Sequence, residues 1–284
     1  MSVALNSLLG TEVKIKVVDI GANPIDGQPP YFPLLQAGHA EVVGFEPAPE
    51  ALAELNRKKG PHETYLPAAV GDGKVHTLHF CASSGMTSLF KPNMRVLGLL
   101  HGFTEWARVV RTEEIMTRRL DEVPEAAGFD LLKIDVQGAE LMVMQNAVEG
   151  LKHALCIQTE VEFMPLYENQ PLFSDVDQFL RQQGFVLHRF VDVISRVVKP
   201  LVVNNDAHAG LSQIFWTDAI YIRDFTRLEL LASDQLLRLA VILYDCYFSA
   251  DLVLHLLLEF DRRSGTRHGS AYQERGLQAR PASI

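Results

Sequence analysis

Short apolar runs alternate with stretches of helical periodicity from residue 14 to about residue 223 of this 284-residue chain. Strand-length runs that alternate with helices predict an α/β domain built on a mainly parallel sheet. The predicted strands cover residues 15–20, 41–45, 64–70, 129–134, 154–159, 185–191 and 214–222. The predicted helices between them cover residues 31–36, 49–59, 141–151 and 174–183, and residues 74–81 and 106–111 predict an exposed hairpin.

The pattern changes beyond the last predicted strand, where apolar residues recur only at helical spacing. Ser233 and Ser249 stand at the starts of two such segments as N-caps and predict a helical hairpin. Its apolar stripes have to be buried, either against the α/β domain, which is the commoner arrangement, or in a homodimer. The polar, arginine-rich end of the chain predicts a disordered tail. The predicted parts are therefore a domain over residues 1–225, a hairpin over 226–261 and a tail over 262–284.

Composition and charge narrow the class of protein. The chain is 48% hydrophobic and 21% charged, which is typical of a globular protein and argues against disorder. A net charge of −9 argues against a nucleic-acid partner, because phosphate binding requires a concentrated basic surface. The three cysteines lack disulfide or zinc spacing. With neither a secretory signal nor an apolar run long enough for a membrane span, we expect a cytoplasmic protein.

Polar residues at strand ends are the first candidates for chemistry, since ligands of open parallel sheets bind there. Asp19 ends the first strand, and Gly21 would let the backbone approach a ligand because glycine has no Cβ. Glu46 ends the second strand, where a carboxylate can accept hydrogen bonds from both hydroxyls of a ribose. Each residue alone fits an ordinary turn or a solvated strand end, but together they predict an adenosine site. A nicotinamide-dependent oxidoreductase is a weaker alternative, because the G-x-G-x-x-G motif is absent.

Two further carboxylates, Asp135 and Glu160, end two successive predicted strands. If those strands are neighbours, the two residues face each other, and paired carboxylates either raise the pKa of one member or hold a divalent cation. Capping of the next helix is the alternative role for Asp135. Glu162 shares the face of Glu160 if the strand continues, and otherwise belongs to the following loop.

Six segments carry these residues in order: DIGAN at 19–23, FEPAP at 45–49, SGMTSLF at 84–90, RLDEV at 119–123, LLKIDVQGAEL at 131–141 and EVEFMPLYENQPLF at 160–173. In this order they resemble the FkbM-type methyltransferases, which use S-adenosylmethionine. The resemblance implies a class I methyltransferase (Rossmann-like) fold with a seven-stranded, mostly parallel sheet. It also implies methyl transfer to a hydroxyl of a sugar, glycan or natural-product small molecule.

The resemblance further implies a role for individual residues. The cofactor-binding residues that it implies are Asp19, Gly21, Ala22, Asn23, Glu46 and Pro47. Among them, Asp19, Gly21 and Asn23 belong to the methionine end of the cofactor and Glu46 to its ribose. Asp135 lies at the centre of methyl transfer, where we expect it to act as general base or cation ligand, with Glu160 as its catalytic partner.

One departure from the family pattern concerns the first loop. Residues 24–26 stand between Asn23 and Gly27, where the family usually has one residue, so the loop is two residues longer. Residues 27–31 are therefore candidates for covering the cofactor or admitting the substrate. His208, in a loop before a sheet strand, is a second candidate base. The alternative function is a non-catalytic binding or scaffold protein that acts through the C-terminal hairpin.

Overall fold

The computed structural model describes residues 3–23 and 27–276 of the chain. Its strands are β1 (Ile15–Ile20), β2 (Ala40–Phe45), β3 (Glu63–Leu66), β4 (Val75–Cys81), β5 (Val109–Met116), β6 (Leu131–Ile134), β7 (Cys156–Glu162), β8 (Phe185–Ser195) and β9 (Ile214–Arg223). Seven of them form one sheet in the order β3-β2-β1-β6-β7-β9-β8. All neighbours in it are parallel except at β9, which runs antiparallel to both β7 and β8. The predicted seven-stranded, mostly parallel sheet is confirmed. Strands β4 and β5 pair antiparallel in a separate two-stranded sheet, but the helical segment of residues 82–108 connects them in place of the predicted hairpin turn.

Helices cover both faces of the main sheet. They are α1 (Leu5–Leu9), α2 (Phe32–Gln36), α3 (Pro49–Lys58), α4 (Met94–Leu97), α5 (Phe103–Trp106), α6 (Glu140–Gln145), α7 (Val148–Leu151), α8 (Phe173–Gln182), α9 (Ser233–Asp245), α10 (Ala250–Ser264) and α11 (His268–Ala271). Buried residues of α1, α2, α9 and α10 share one core with the sheet, and those of α6, α7 and α8 share a second core on the opposite face. Among the described residues, no helix combines the length and the apolar character that crossing a membrane requires.

Strand β1 shows how one run of sequence serves both cores. Ile15 and Val17 belong to the core beneath the C-terminal helices, whereas Val18 and Ile20 belong to the other. Successive side chains of a strand point to opposite faces, so a strand buried on both sides is apolar at consecutive positions. Apart from Lys16, the sequence of β1 follows this rule until Asp19, whose carboxylate is the first polar group of the cleft.

The C-terminal helices differ from the sequence prediction in their extent. Helix α10 continues to Ser264, and Gly265 ends it in the left-handed region with φ +72°. Residues 262–276 are not the predicted disordered tail. Arg263 donates hydrogen bonds to two backbone carbonyls beside α9, and Tyr272 is fully buried. Polar composition alone misled the prediction, because Arg262 and Arg263 have fixed acceptors in the fold. Residues 277–284 lie outside the described part of the chain.

Two other boundaries moved for local reasons. Strand β3 ends at Leu66, short of residue 70, because Pro67 has no N–H to donate to a neighbouring strand. Helix α8 begins at Phe173, with the Asp175 carboxylate accepting from the Leu172 N–H at 2.8 Å, so Ser174 is not the N-cap. Strand β7 continues through Glu162, which settles the position of that residue in the strand.

Candidate active site

Two cavities open beyond the carboxyl ends of β1 and β6, where the strand order of the main sheet reverses. Open α/β sheets bind their ligands at this point. The first cavity, of about 460 Å³, is lined by Gly21, Glu46 and residues of the loop after β4. The second cavity, of about 580 Å³, lies on the face that the C-terminal hairpin α9–α10 covers. Asn23 and Asp135 line both cavities, so the two meet at these side chains.

Gly21 joins the ends of β1 and β6. Its φ is +78°, and a Cβ built on it would lie 1.9 Å from the carbonyl oxygen of Asp135. Any side chain would therefore be both strained and blocked at this position. The sequence prediction attributed this glycine to ligand approach, whereas the close contact in the structure is with the protein's own backbone.

The first cavity has the chemistry of an adenosine site. Glu46 lies buried at the end of β2, where its Oε1 accepts a hydrogen bond from the Ala48 N–H at 2.7 Å. Burial raises the pKa of this carboxyl, and the Ala48 N–H partly opposes the shift. Pro47 lies beside it in the cavity wall. Much of the remaining wall is apolar and suits a flat ring; it includes Ile20, Phe45, Val70, Leu78, Phe80 and Leu89.

Asp19 faces the second cavity, together with Ala22. Its Oδ2 accepts a hydrogen bond from the Tyr31 hydroxyl at 2.6 Å, and the Lys133 ammonium lies 3.7 Å from its Oδ1. Burial raises the pKa of Asp19, and the positive charge of Lys133 partly offsets the effect. The predicted methionine-end residues are thus divided between cavities, with Gly21 in the first, Asp19 in the second and Asn23 at their junction.

Asp135 and Glu160 lie close together, because β6 and β7 are parallel neighbours. A single amide connects them: Nε2 of Gln137 donates to Oδ1 of Asp135 at 2.8 Å and to Oε2 of Glu160 at 3.0 Å. The Tyr167 hydroxyl fixes the other end of this amide by donating to its Oε1 at 3.0 Å. Gln137 reaches both carboxylates from a left-handed backbone conformation with φ +57°.

Glu140 adds a third carboxylate to this cluster. Its Oε1 accepts from the Val136 N–H at 2.8 Å and from the Gly138 N–H at 3.1 Å, which holds the loop after β6. One ligand oxygen each from Asp135, Glu140 and Glu160 lie within 4.8 Å of one another, a spacing that could accommodate a cation. Burial, reinforced by the charge of Asp135, raises the pKa of Glu140 to about 7.

Protonation is the competing way to relieve this concentration of charge. Burial raises the pKa of Glu160 well above its ordinary value, and the neighbouring charge of Asp135 adds to the effect. Burial also raises the pKa of Glu162, which lies two residues after Glu160 in β7, and the negative charge of Glu140 adds to this shift. The carboxylates behind Asp135 therefore favour their neutral forms more than ordinary surface carboxylates do.

Other candidates from the sequence take different places. Asp135 does not cap α6, whose N-cap position is Ala139. Glu160 is not part of the described lining of either cavity, and the hydrogen-bonded link between it and Asp135 is the Gln137 amide. His208 is exposed and stacks on Trp106, with ring centroids 5.1 Å apart, outside the described lining of both cavities. The inserted residues 24–26 lie outside the described part of the chain.

Three polar residues of the cleft were not among the site residues predicted from the sequence. Lys133 lies between Asp19 and Asp135, at 3.7 Å and 4.0 Å from their carboxylates. Its position two residues before Asp135 in a buried strand was the available signal, because a lysine there needs a partner. Gln137 and Asp218 gave no comparable signal, since their roles depend on loop conformation and on the pairing of β9.

Comparison with known proteins shows the family of the chain. The Methyltransferase FkbM domain model matches residues 19–187, more than half of the chain. The 2-O-methyltransferase NoeI of Sinorhizobium fredii is 31% identical over 193 residues, covering 61% of this chain and 78% of NoeI. A similar solved structure is magnesium protoporphyrin IX methyltransferase from Synechocystis PCC 6803 with bound SAM, at TM-score 0.40, 11% identity and 78% coverage of each chain. Another is precorrin-6y C5,15-methyltransferase from Geobacter metallireducens, at TM-score 0.38, 13% identity and coverage of 78% of this chain and 86% of that one.

With this strand order and a ligand cleft at its reversal point, the protein falls in the class I methyltransferases, as the sequence resemblance implied. Within that class, the chain belongs to the FkbM methyltransferase domain family. It is a methyltransferase of the kind that uses S-adenosylmethionine, and the family match favours methyl transfer over nicotinamide chemistry.

Proposed function

We propose that the protein transfers the methyl group of S-adenosylmethionine to a hydroxyl oxygen of a sugar or natural-product small molecule. The position of Asp135, at the junction of two cavities, carries the proposal. Similarity to NoeI, a 2-O-methyltransferase, supports oxygen as the methylated atom. Because a neutral hydroxyl is a poor nucleophile, the reaction needs a positioned base as well as a bound donor.

The residues of the first cavity are suited to hold the cofactor. Glu46 offers a carboxylate to the ribose hydroxyls, the apolar wall accommodates the adenine, and Gly21 with Asn23 leads towards the second cavity. Bound S-adenosylmethionine supplies an electrophilic methyl group on sulfonium sulfur. We propose that Asp19 and Ala22 complete the methionine end of the site, and that Pro47 packs beside the ribose.

Asp135 is the proposed general base. Its carboxylate takes the proton of the acceptor hydroxyl as the new O–CH₃ bond forms and the S–CH₃ bond breaks. Gln137 orients that carboxylate, and Glu160 holds the Gln137 amide from behind. Glu160 is therefore a positioning residue in this proposal, although the sequence analysis expected it to act beside Asp135 as a catalytic partner.

Two measurements test the proposed function. Calorimetric titration of the full-length protein with S-adenosylhomocysteine should show binding at one site, and folded protein that fails to bind it would refute the cofactor assignment. Transfer of tritium from methyl-labelled S-adenosylmethionine to an acceptor panel then measures turnover. Asp135→Asn should lower kcat by about a hundredfold, with S-adenosylhomocysteine affinity retained. Asp251→Asn, at an exposed position of α10, is the matched control and should keep wild-type turnover.

A further inference from the structure

The second cavity contains a row of polar side chains that the cofactor assignment leaves largely unused. Asp19, Lys133 and Gln158 are register partners on β1, β6 and β7, so their side chains lie side by side on the same face of the sheet. Asp218 follows on β9, and all four line the cavity. Tyr247, between α9 and α10, closes the row from the side of the C-terminal hairpin.

A chain of hydrogen bonds fixes the far end of this row. The Tyr247 hydroxyl donates to Oε1 of Gln158 at 3.0 Å, and Nε2 of Gln158 donates to Oδ2 of Asp218 at 2.5 Å. Tyr247 is itself held where the Arg189 guanidinium donates to its backbone carbonyl at 2.5 Å. Through Tyr247, the C-terminal hairpin thus orients the Gln158 amide and the Asp218 carboxylate. This role is additional to covering the face of the sheet.

Within this row, two carboxylate oxygens have no hydrogen bond to the described part of the chain. One is Oδ1 of Asp19, which is buried and has only the Lys133 ammonium at 3.7 Å. The other is Oδ1 of Asp218, since the hydrogen bond from Gln158 goes to Oδ2 of the same carboxylate. The Asp19 oxygen lies at the proposed methionine end of the cofactor site, which leaves the Asp218 oxygen for the acceptor. A ligand that offers a hydroxyl donor to this oxygen gains a charge-assisted hydrogen bond.

This lining discriminates between classes of ligand. An apolar acceptor would desolvate the carboxylates of Asp19 and Asp218 without replacing their water. The described lining holds five acidic side chains against four basic ones (Lys58, Lys59, Lys133 and Arg189), so it has no excess of positive charge with which to bind a phosphorylated acceptor. A neutral polyhydroxylated ligand can donate to the carboxylates and accept from Lys133, as sugar hydroxyls do both.

The second cavity lies next to the proposed site of methyl transfer. It meets the first cavity at Asn23 and Asp135, so an acceptor in the second cavity and a donor in the first come together at the proposed base. We propose that the second cavity binds the acceptor as a neutral sugar, with Asp218 and Gln158 bonding its hydroxyls and Tyr247 positioning both side chains. This inference rests on the proposed function and assigns it an acceptor site and an acceptor class.

Saturation-transfer NMR on the full-length protein loaded with S-adenosylhomocysteine tests the proposal, with methyl glycosides of common hexoses and deoxyhexoses as probes. At least one glycoside should bind the wild type. Asp218→Ala should weaken that binding about tenfold or more, and Tyr247→Phe by about fivefold, because each loses or loosens hydrogen bonds to the sugar. The same substitutions elsewhere serve as controls: Tyr272→Phe removes a buried hydroxyl that bonds the Ala250 carbonyl, and Asp251→Ala removes an exposed helix carboxylate. Both controls should bind the glycoside as the wild type does.

S-adenosylhomocysteine affinity, measured on every variant, separates loss of folding from loss of the acceptor site. Retained cofactor affinity with weakened glycoside binding supports the proposal. Glycoside binding that is unchanged in both Asp218→Ala and Tyr247→Phe overturns it, as does a wild type that binds no glycoside. If that wild type still methylates a non-sugar acceptor, the proposed methyl transfer stands and only the sugar site is refuted, whereas absence of S-adenosylhomocysteine binding refutes both.

Discussion

Gly21 and Asp135 touch backbone to backbone: a Cβ on Gly21 would lie 1.9 Å from the Asp135 carbonyl oxygen. This contact fixes the end of β1 against the end of β6, where the two cavities meet. The residue proposed as general base is therefore located by a glycine more than a hundred positions earlier in the chain.

Replacing that glycine should cost both stability and cofactor binding. Gly21→Ala adds a methyl group at a positive φ and against backbone that cannot rotate away, so we expect a loss of about 3 kcal/mol or more in the free energy of unfolding. Urea denaturation measures this loss, and S-adenosylhomocysteine titration measures the effect on the cleft. Gly128→Ala is the matched control, because Gly128 also has a positive φ (+70°) but has no atom within 4 Å of the added Cβ. The control should lose only about 1 kcal/mol, and equal losses would contradict the steric argument.

Sequence patterns predicted the sheet and the meeting of Asp135 with Glu160, because strand ends and strand alternation are local properties that parallel pairing then brings together. They could not predict the Gln137 bridge, which depends on a left-handed residue before Gly138. They also missed Asp218, which reaches the cleft only because β9 inserts antiparallel next to β7. Such contacts depend on how distant segments pack against each other, and the hydrophobic periodicity of the sequence does not contain this information.

We predict that Gln137 affects the rate of methyl transfer by orienting the Asp135 carboxylate. Gln137→Ala removes the amide that donates to Asp135 and Glu160, so the two carboxylates lose their common donor. We expect kcat to fall about tenfold with little change in the affinity for S-adenosylhomocysteine or in the acceptor KM. Steady-state kinetics gives this split, and Gln145→Ala, on an exposed position of α6, should behave as the wild type. An increase in KM with unchanged kcat would show that Gln137 binds substrate instead of orienting the base.

Stability should fall as the pH rises through the range in which Glu140 titrates. Its ordinary pKa of 4.5 applies to the unfolded chain, whereas burial raises the folded value to about 7. Between these values the folded state binds more protons than the unfolded state, so the free energy of unfolding decreases with increasing pH. The full effect of such a shift is roughly 3 kcal/mol, present below the unfolded pKa and lost above the folded one.

The variant Glu140→Gln tests this directly, because glutamine keeps the oxygen that accepts from Val136 and Gly138 but does not ionise. Urea denaturation over a pH series should show a smaller slope than in the wild type, with the variant more stable on the alkaline side. Some slope should remain, since burial also raises the pKa of Glu160 and Glu162. Glu149→Gln, on the exposed surface of α7, should reproduce the wild-type slope. A Glu140→Gln slope identical to the wild type would contradict the assignment.

Chelation should leave turnover intact. A divalent cation at Asp135 and Glu160 is one reading of the sequence, but Gln137 Nε2 already donates to both carboxylates, and burial favours protonation of Glu160. We therefore expect the same kcat before and after treatment with EDTA, and no heat of Mg²⁺ binding in calorimetry of the full-length protein. Activity that disappears with EDTA and returns with Mg²⁺ or Mn²⁺ would show instead that Asp135, Glu140 and Glu160 hold a metal ion.

The C-terminal hairpin is predicted to act within one chain. Leu239 of α9 is fully buried in the core that also contains Leu131 and Ile220 of the sheet. Leu239→Ala should lower the free energy of unfolding by about 2–5 kcal/mol, independently of protein concentration, while Leu258→Ala, at a half-exposed position of α10, should cost far less. Denaturation at two protein concentrations, combined with light scattering, distinguishes this from the homodimer or scaffold alternative. If the hairpin formed a dimer interface, Leu239→Ala would lower the mass in solution and its stability would depend on concentration, because dissociation and unfolding would then be coupled.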